Sequence, residues 1–192
     1  YCTVFLCASK TTANALSEEL LSRKKEAQIG IIKFGADFPK QKDTEEVFES
    51  YLASQRPYFL MVGTIEPRKN HEIAIEAFQK LWDQGFNANL LIIGNPGWKC
   101  QHTLLQIEKT KRQYKKLEYL ENISDSQLDA AYKSTQALIF PSLSEGFGLP
   151  IIEALQRGTH VILSDIPIHR EVASEYGLFF PPHNATELCK HI

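Results

Sequence analysis

The sequence predicts an α/β protein organised around a doubly wound parallel sheet. Two observations carry that prediction. Short apolar runs recur along the 192 residues, and they are near-continuous rather than alternating. Such runs suit strands of a parallel sheet covered on both faces. Amphipathic stretches lie between the runs, as right-handed strand–helix–strand units require.

In chain order, "VFLCAS" (4–9) and "GIIKFG" (30–35) read as strands framing a helix. The polar, acidic stretch "PKQKDTEEVFESYLASQRP" (39–57) then breaks the rhythm and reads as a linker carrying a short helix. A compact α/β unit rarely spends so many residues between neighbouring strands. "YFLMVG" (58–63) resumes the pattern. Asn70 is placed to cap a helix whose Ile73, Ala77 and Leu81 share a face, and Gly85 is placed to end it. "ANLLIIG" (88–94) follows, then a stripe of Leu104, Ile107, Tyr114 and Leu117 backed by Lys109, Lys111, Arg112, Lys115 and Lys116. That basic face reads as a solvated helix face, with contact to anionic lipid as the other reading. After "LEYL" (117–120), Ser124 and Gln127 have capping-box spacing for a helix through about Lys133. "ALIFPS" (137–142), "HVILS" (160–164) and "GLFF" (177–180) complete the strands, and Asn184 with Glu187 repeats the capping spacing. His160 reads as a core or near-core histidine. The predicted organisation is 1–38 as the tail of one domain, 39–56 as linker, and 57–192 as a second domain cut short at its C-terminus. Both ends read as interior points of a longer polypeptide.

Composition narrows the function classes. A hydrophobic content of 43% supports a core, and a net charge of −2 argues against bulk nucleic-acid binding. No apolar run approaches a membrane span. Cys2, Cys7, Cys100 and Cys189 form no C-x-x-C pair or framework spacing, which favours a reduced, cytoplasmic setting. G-x-G-x-x-G, P-loop and G-x-S-x-G patterns are absent from the sequence, as are H-x-x-x-H and D-x-D metal spacings. A metal site and a nicotinamide cofactor are therefore not expected.

Two predicted strand ends carry unusual chemistry, and ligands in open α/β sheets bind beyond the carboxyl ends of strands. In "GTIEPRKNHE" (63–72), Arg68 and Lys69 stand beside the start of a helix, where side-chain cations and free backbone N–H groups attract an anion. The competing reading pairs Arg68 with Glu66 or Glu72 on the surface. In "SLSEGFGLPIIEA" (142–154), Gly146 and Gly148 allow a sharp turn and a close backbone approach, and Pro150 fits the first position of a helix. Glu145 in the loop and Glu153 in the first helical turn are both placed to face one crevice, although dipole compensation also accounts for Glu153. Phe147 reads equally as a loop plug or a ligand contact.

"GTIEPRKN", "LIFPSLSEGFGLPIIEA", G-x-x-V-I-x-S and then Glu171-Val172, in that order, resemble the C-terminal domain of family 4 (group 1) glycosyltransferases of GT-B fold. The resemblance covers about residues 57–188, and the Glu145–Glu153 spacing is that of retaining members. It implies a Rossmann-like donor-binding half, with residues 1–38 the tail of an N-terminal domain that holds most of the acceptor site. By resemblance, Arg68 and Lys69 hold the donor diphosphate beside Gly63 and Thr64. Glu145 meets the transferred sugar, and Glu153 the nucleotide ribose. Gly146, Phe147, Gly148 and Leu149 form the loop approaching sugar and phosphate, and Ser124 lies near the base. Thr64 stands where many members have an additional Arg, and "GTHVI" (158–162) departs from G-x-P-V-I.

The texture around Trp82, Gly85, Gly97 and Trp98 resembles bacterial mannosyltransferases of surface polysaccharide assembly. It implies GDP-mannose as donor without a metal, and a glycan or lipid-linked glycan as acceptor through the other domain. It also implies a cytoplasmic protein, peripheral on the inner membrane, whose residues 1–192 alone transfer little. The rival expectations are a sugar-nucleotide epimerase, a phosphorylase, or a binding domain without turnover.

Overall fold

The computed structural model describes residues 2–32, 34–35, 46–55 and 57–192. Residues 39–45 and 56 of the predicted linker, and residues 1, 33 and 36–38 of the predicted tail, lie outside these. The sheet elements are β1 (Val4–Cys7), β2 (Gln28–Ile31), β3 (Tyr58–Val62), β4 (Asn89–Ile93), β5 (Leu117–Leu120), β6 (Ala137–Phe140), β7 (His160–Ser164) and β8 (Gly177–Phe180). The helices are α1 (Lys10–Ser22), α2 (Glu46–Ser54), α3 (His71–Asp83), α4 (Gln101–Tyr114), α5 (Asp125–Ser134), α6 (Leu149–Gln156), α7 (Pro167–Ala173) and α8 (Ala185–Cys189).

β1 and β2 pair in parallel around α1, with Phe5 opposite Ile29. The other strands form one six-stranded sheet in the order β5-β4-β3-β6-β7-β8, parallel throughout. Its apolar residues alternate between two buried faces, because successive side chains of a strand point opposite ways. On β3, Phe59 and Met61 pack on the face carrying Ile75, Phe78, Ile107 and Leu188. Tyr58 and Leu60 pack on the other, with Leu52, Ala131, Ile151 and Ala173. Burial on both faces is the reason these strands read as unbroken apolar runs.

The short helix predicted within the linker is α2, and it is seated on the sheet. Leu52 is buried, with Phe48 and Tyr51 packed against the same face. α3 buries His71, Ala74, Ile75, Ala77, Phe78 and Trp82, while Ile73 and Leu81 are only half-buried at the margin of that stripe. Gly85 follows its end at φ +87°, a conformation that favours glycine. α4 stops at Tyr114, so Leu117 belongs to β5 and not to the helical stripe. The capping box of Ser124 and Gln127 forms as expected, and the Asn184 side chain accepts the Glu187 N–H.

Three local expectations are overturned. Asn70 occupies the N-cap position of α3 but its side chain makes no capping bond: the residue is left-handed, and its side-chain amide donates to Pro141 O and Pro182 O at 3.2 and 2.9 Å. His160 is exposed, because it opens β7 at the rim of the sheet. α6 starts at Leu149, not Pro150, and Glu153 therefore sits in its second turn. Gly148 causes that offset: it occupies the N-cap at φ +93°, where a side chain would be strained and would crowd Ile151.

Candidate functional site

The strand order fixes where a ligand site forms. From β3 the chain moves outward to β4 and β5, then returns to place β6 on the other side of β3. The crevice beyond the carboxyl ends of β3 and β6 is the topological switch point, where open α/β sheets take ligands. The loops leaving these two strands carry Arg68 with Lys69, and Glu145.

Gly63 ends β3 at φ +148°, and Gly94 ends β4 against it. A Cβ at Gly94 would stand 1.9 Å from Gly63 O, so only glycine allows this approach. Pro67–Lys69 then forms a single 3₁₀ turn ending on left-handed Asn70. The two loops are joined by Leu143 N–H donating to Arg68 O at 2.8 Å and by the Asn70 bond to Pro141 O.

Both cations converge on one carboxylate. An Arg68 terminal nitrogen donates to Glu145 Oε2 at 2.6 Å and to Ser144 O at 3.1 Å. Lys69 Nζ donates to Glu145 Oε1 at 2.6 Å and lies 4.9 Å from the centre of the Phe140 ring. Arg68 Nε pairs with Glu66 at 2.6 Å, so the expected surface pairing exists, but within the cluster. Glu72 pairs instead with His102. The Lys69 and Glu145 side chains are only 11% and 7% exposed, whereas Arg68 is 42% exposed. Burial pushes the Glu145 carboxyl up, but the Lys69 hydrogen bond and charge, with Ser142 and Arg68, outweigh it. The carboxyl is held below the usual range and stays ionised.

Glu153 does not join these contacts. Its carboxylate accepts the Tyr132 hydroxyl at 2.7 Å, and its own carbonyl accepts from Arg157 at 2.7 Å. Burial raises its carboxyl above the usual range against the pull of Tyr132 and Arg157, with Asp125 adding to the rise. The two acids thus have opposite electrostatic character: Glu145 is saturated with cations, and Glu153 is held by a phenol.

The remaining expected residues divide by position. Gly63 lies against the Lys69 side chain, and exposed Thr64 packs beside Gly97. Gly146 has open space around the position of a Cβ, and its carbonyl turns toward α1. Phe147 is half-buried, edge-on to Phe34 at 5.4 Å. Leu149 is exposed at the start of α6, and Ser124 is occupied as a helix cap.

Several neighbours escape sequence reasoning. Glu66 is nearly buried against Arg68. His169 is fully buried beside Phe140, with Nδ1 at 2.9 Å from Ser164 O and Nε2 without a hydrogen-bond partner among the described residues. Burial, with Lys69 nearby, lowers its pKa against the Ser164 carbonyl and Glu145, so the ring is neutral. Ser164 Oγ in turn donates to Ser142 O at 2.5 Å, bracing the start of the Glu145 loop. No local spacing signals these contacts. Among the described residues, no three His, Cys, Asp or Glu side chains are grouped as metal ligands.

A six-stranded parallel sheet with a cationic corner and an ionised acid at its switch point is a doubly wound α/β domain whose candidate ligand site lies at that point. Residues 42–192 match the family model described as "Glycosyl transferases group 1", and the chain belongs to that family. Among its relatives is the serotype-specific mannosyltransferase WbdA of Escherichia coli, 43% identical over 71% of this chain and 17% of that protein. Another is the O-antigen chain mannosyltransferase RfbU of Salmonella typhimurium, 32% identical over 77% of this chain and 37% of that protein. The chain therefore spans well under half the length of these relatives. The solved trehalose-6-phosphate synthase OtsA shares the fold with a TM-score of 0.81 at 12% identity, covering 98% of this chain and 51% of that one.

Proposed function

We propose that this chain is the donor-binding part of a retaining mannosyltransferase that takes GDP-mannose and passes the sugar to a surface-polysaccharide acceptor. One observation supports it above the others: Arg68 and Lys69 meet Glu145 at the switch point of the sheet. The group 1 family match and the similarity to the mannosyltransferases WbdA and RfbU favour mannose.

Arg68, with its planar fork, and Lys69, with a compact ammonium, bind the two phosphates of the donor. When the bond between the anomeric carbon and the phosphate oxygen breaks, negative charge collects on the nucleoside diphosphate. The same two cations hold that charge without reorganisation. Glu145, kept ionised, accepts hydrogen bonds from hydroxyls of the transferred sugar. Glu153 accepts a ribose hydroxyl beside Tyr132. Gly63, Thr64 and the Gly146–Leu149 loop let backbone groups approach sugar and phosphate, with Ser124 near the base. No metal takes part. The acceptor, a glycan or lipid-linked glycan, enters through the N-terminal domain to which residues 1–38 belong in this reading, and the protein works in the cytoplasm at the membrane surface.

The test is thermal-shift screening against GDP, UDP, ADP and TDP with their sugars. A specific ligand raises the melting temperature by mass action. GDP and GDP-mannose are expected to give the largest shifts, and Arg68→Ala in the full-length enzyme is expected to lower turnover about a hundredfold. A larger shift from UDP-sugars, with conversion of the sugar in the absence of acceptor, would replace this reading with that of an epimerase.

A further inference from the structure

We propose that the first turn of α1 is a clamp on the Glu145 loop, which makes Ser9, Thr12 and Glu171 positioning residues for Glu145. This rests on the preceding reading only in the role given to Glu145.

The loop is held from two sides. Arg68 and Lys69 grip the carboxylate of Glu145, but its backbone is fixed elsewhere. Gly146, the next residue, turns its carbonyl to α1 and accepts hydrogen bonds from Thr12 Oγ1 and Ser9 Oγ, both at 3.0 Å. Ser9 Oγ has one proton, which it divides between Gly146 O and Thr12 Oγ1 at 2.8 Å, so Thr12 is the dedicated donor. Ser9 is 1% exposed and also caps α1 by accepting the Thr12 N–H. One residue further along, Phe147 packs edge-on against Phe34. The two residues that follow Glu145 are therefore both held by the β1–β2 unit.

α1 is itself pinned to the sheet domain. Glu171 on α7 places its carboxylate in the first turn of α1, accepting Lys10 N–H at 2.6 Å, Thr11 N–H at 2.8 Å and the Thr11 hydroxyl at 2.6 Å. These amides have no partner within the helix, and the helix dipole favours an anion there. Burial raises the Glu171 carboxyl, but these donors outweigh it and keep it ionised. The route from Glu171 through α1 to Gly146 is continuous. A displacement of α1 carries the Gly146 carbonyl, and with it the backbone of Glu145. Displacements of about 1 Å at a reacting centre are enough to cost catalysis.

The experiment compares Thr12→Val, Thr12→Ser and Glu171→Ala in the full-length protein. Val removes the hydroxyl at nearly constant shape, Ser restores it, and Glu171 is exposed, so its loss leaves α1 amides that water can satisfy. Amide hydrogen exchange over residues 142–148 and GDP-mannose-dependent transfer are both measured. The clamp predicts faster exchange in Thr12→Val and Glu171→Ala, and near wild-type exchange in Thr12→Ser. It also predicts kcat lowered about tenfold in the first two, with GDP affinity within about twofold. Unchanged exchange overturns the clamp, and faster exchange at unchanged kcat overturns the positioning role. If the unmodified protein transfers no mannose but exchange responds as stated, the clamp stands and the assigned donor falls.

Discussion

At the scale of single residues, the buried Lys69–Glu145 pair decides most of the site's behaviour. Removing one partner of such a pair leaves an uncompensated buried charge, which costs about 3 kcal/mol. Arg68 still holds Glu145 when Lys69 is lost, whereas Lys69 has no second carboxylate partner among the described residues. Glu145→Gln should therefore destabilise the protein by about that much in urea unfolding, and Lys69→Met with Glu145→Gln should recover most of the loss. His71, the first residue of α3, is buried with Nδ1 lacking a partner among the described residues. Burial, helped by Lys69, lowers its pKa to about 4. A depressed histidine adds stability above its unfolded pKa of about 6.5 and loses it as pH falls toward 4. The predicted loss across that window is on the order of 3 kcal/mol, and His71→Gln should flatten the pH dependence of unfolding there. Glu145 acts with the same sign but lower, since its carboxyl titrates below the usual range. Arg68 and Lys69 were legible as adjacent cations beside a helix start, and Glu145 as an acid in a glycine loop after a strand. His169 and Tyr132 were not, because their roles come from what packs over them.

At the scale of elements, local chemistry predicted starts and stops well where the cap is self-contained. Ser124 and Gln127 satisfy each other within one turn, so the sequence pattern is the structure. Ser124→Ala should cost about 1 kcal/mol of stability, measured by urea unfolding, without altering the sheet. Asn70 has the same apparent signal but a different fate. Its amide is drawn to two proline carbonyls from distant loops, a tertiary claim that local pattern does not carry. The start of α6 was misplaced by one residue for a related reason. Gly148 takes the left-handed N-cap, which shifts Glu153 into the second turn and toward Tyr132. The bonds from α1 to Gly146 and Glu171 span more than a hundred positions and leave no periodic trace.

At the scale of the whole molecule, apolar runs announced seven of the eight strands among the described residues to within a residue or two, and β2, at Gln28–Ile31, only by its last two residues, but they did not announce the lateral order. The order β5-β4-β3-β6-β7-β8 is what brings the loop after β3 beside the loop after β6. Had β6 been placed beside β5, the same residues would form no site. The two sequence signals thus gain meaning only from the sheet's reversal. Residues 1–192 by themselves are expected to bind GDP weakly and to transfer little or no mannose. Robust transfer by this segment alone, in an assay with labelled GDP-mannose, would contradict the division of labour proposed between donor and acceptor parts.

The most direct test is a crystal structure with GDP bound. The account predicts phosphate oxygens within about 3 Å of the Arg68 guanidinium and Lys69 Nζ, in the crevice beyond β3 and β6. A nucleotide bound elsewhere, with both cations still on Glu145 alone, would contradict it.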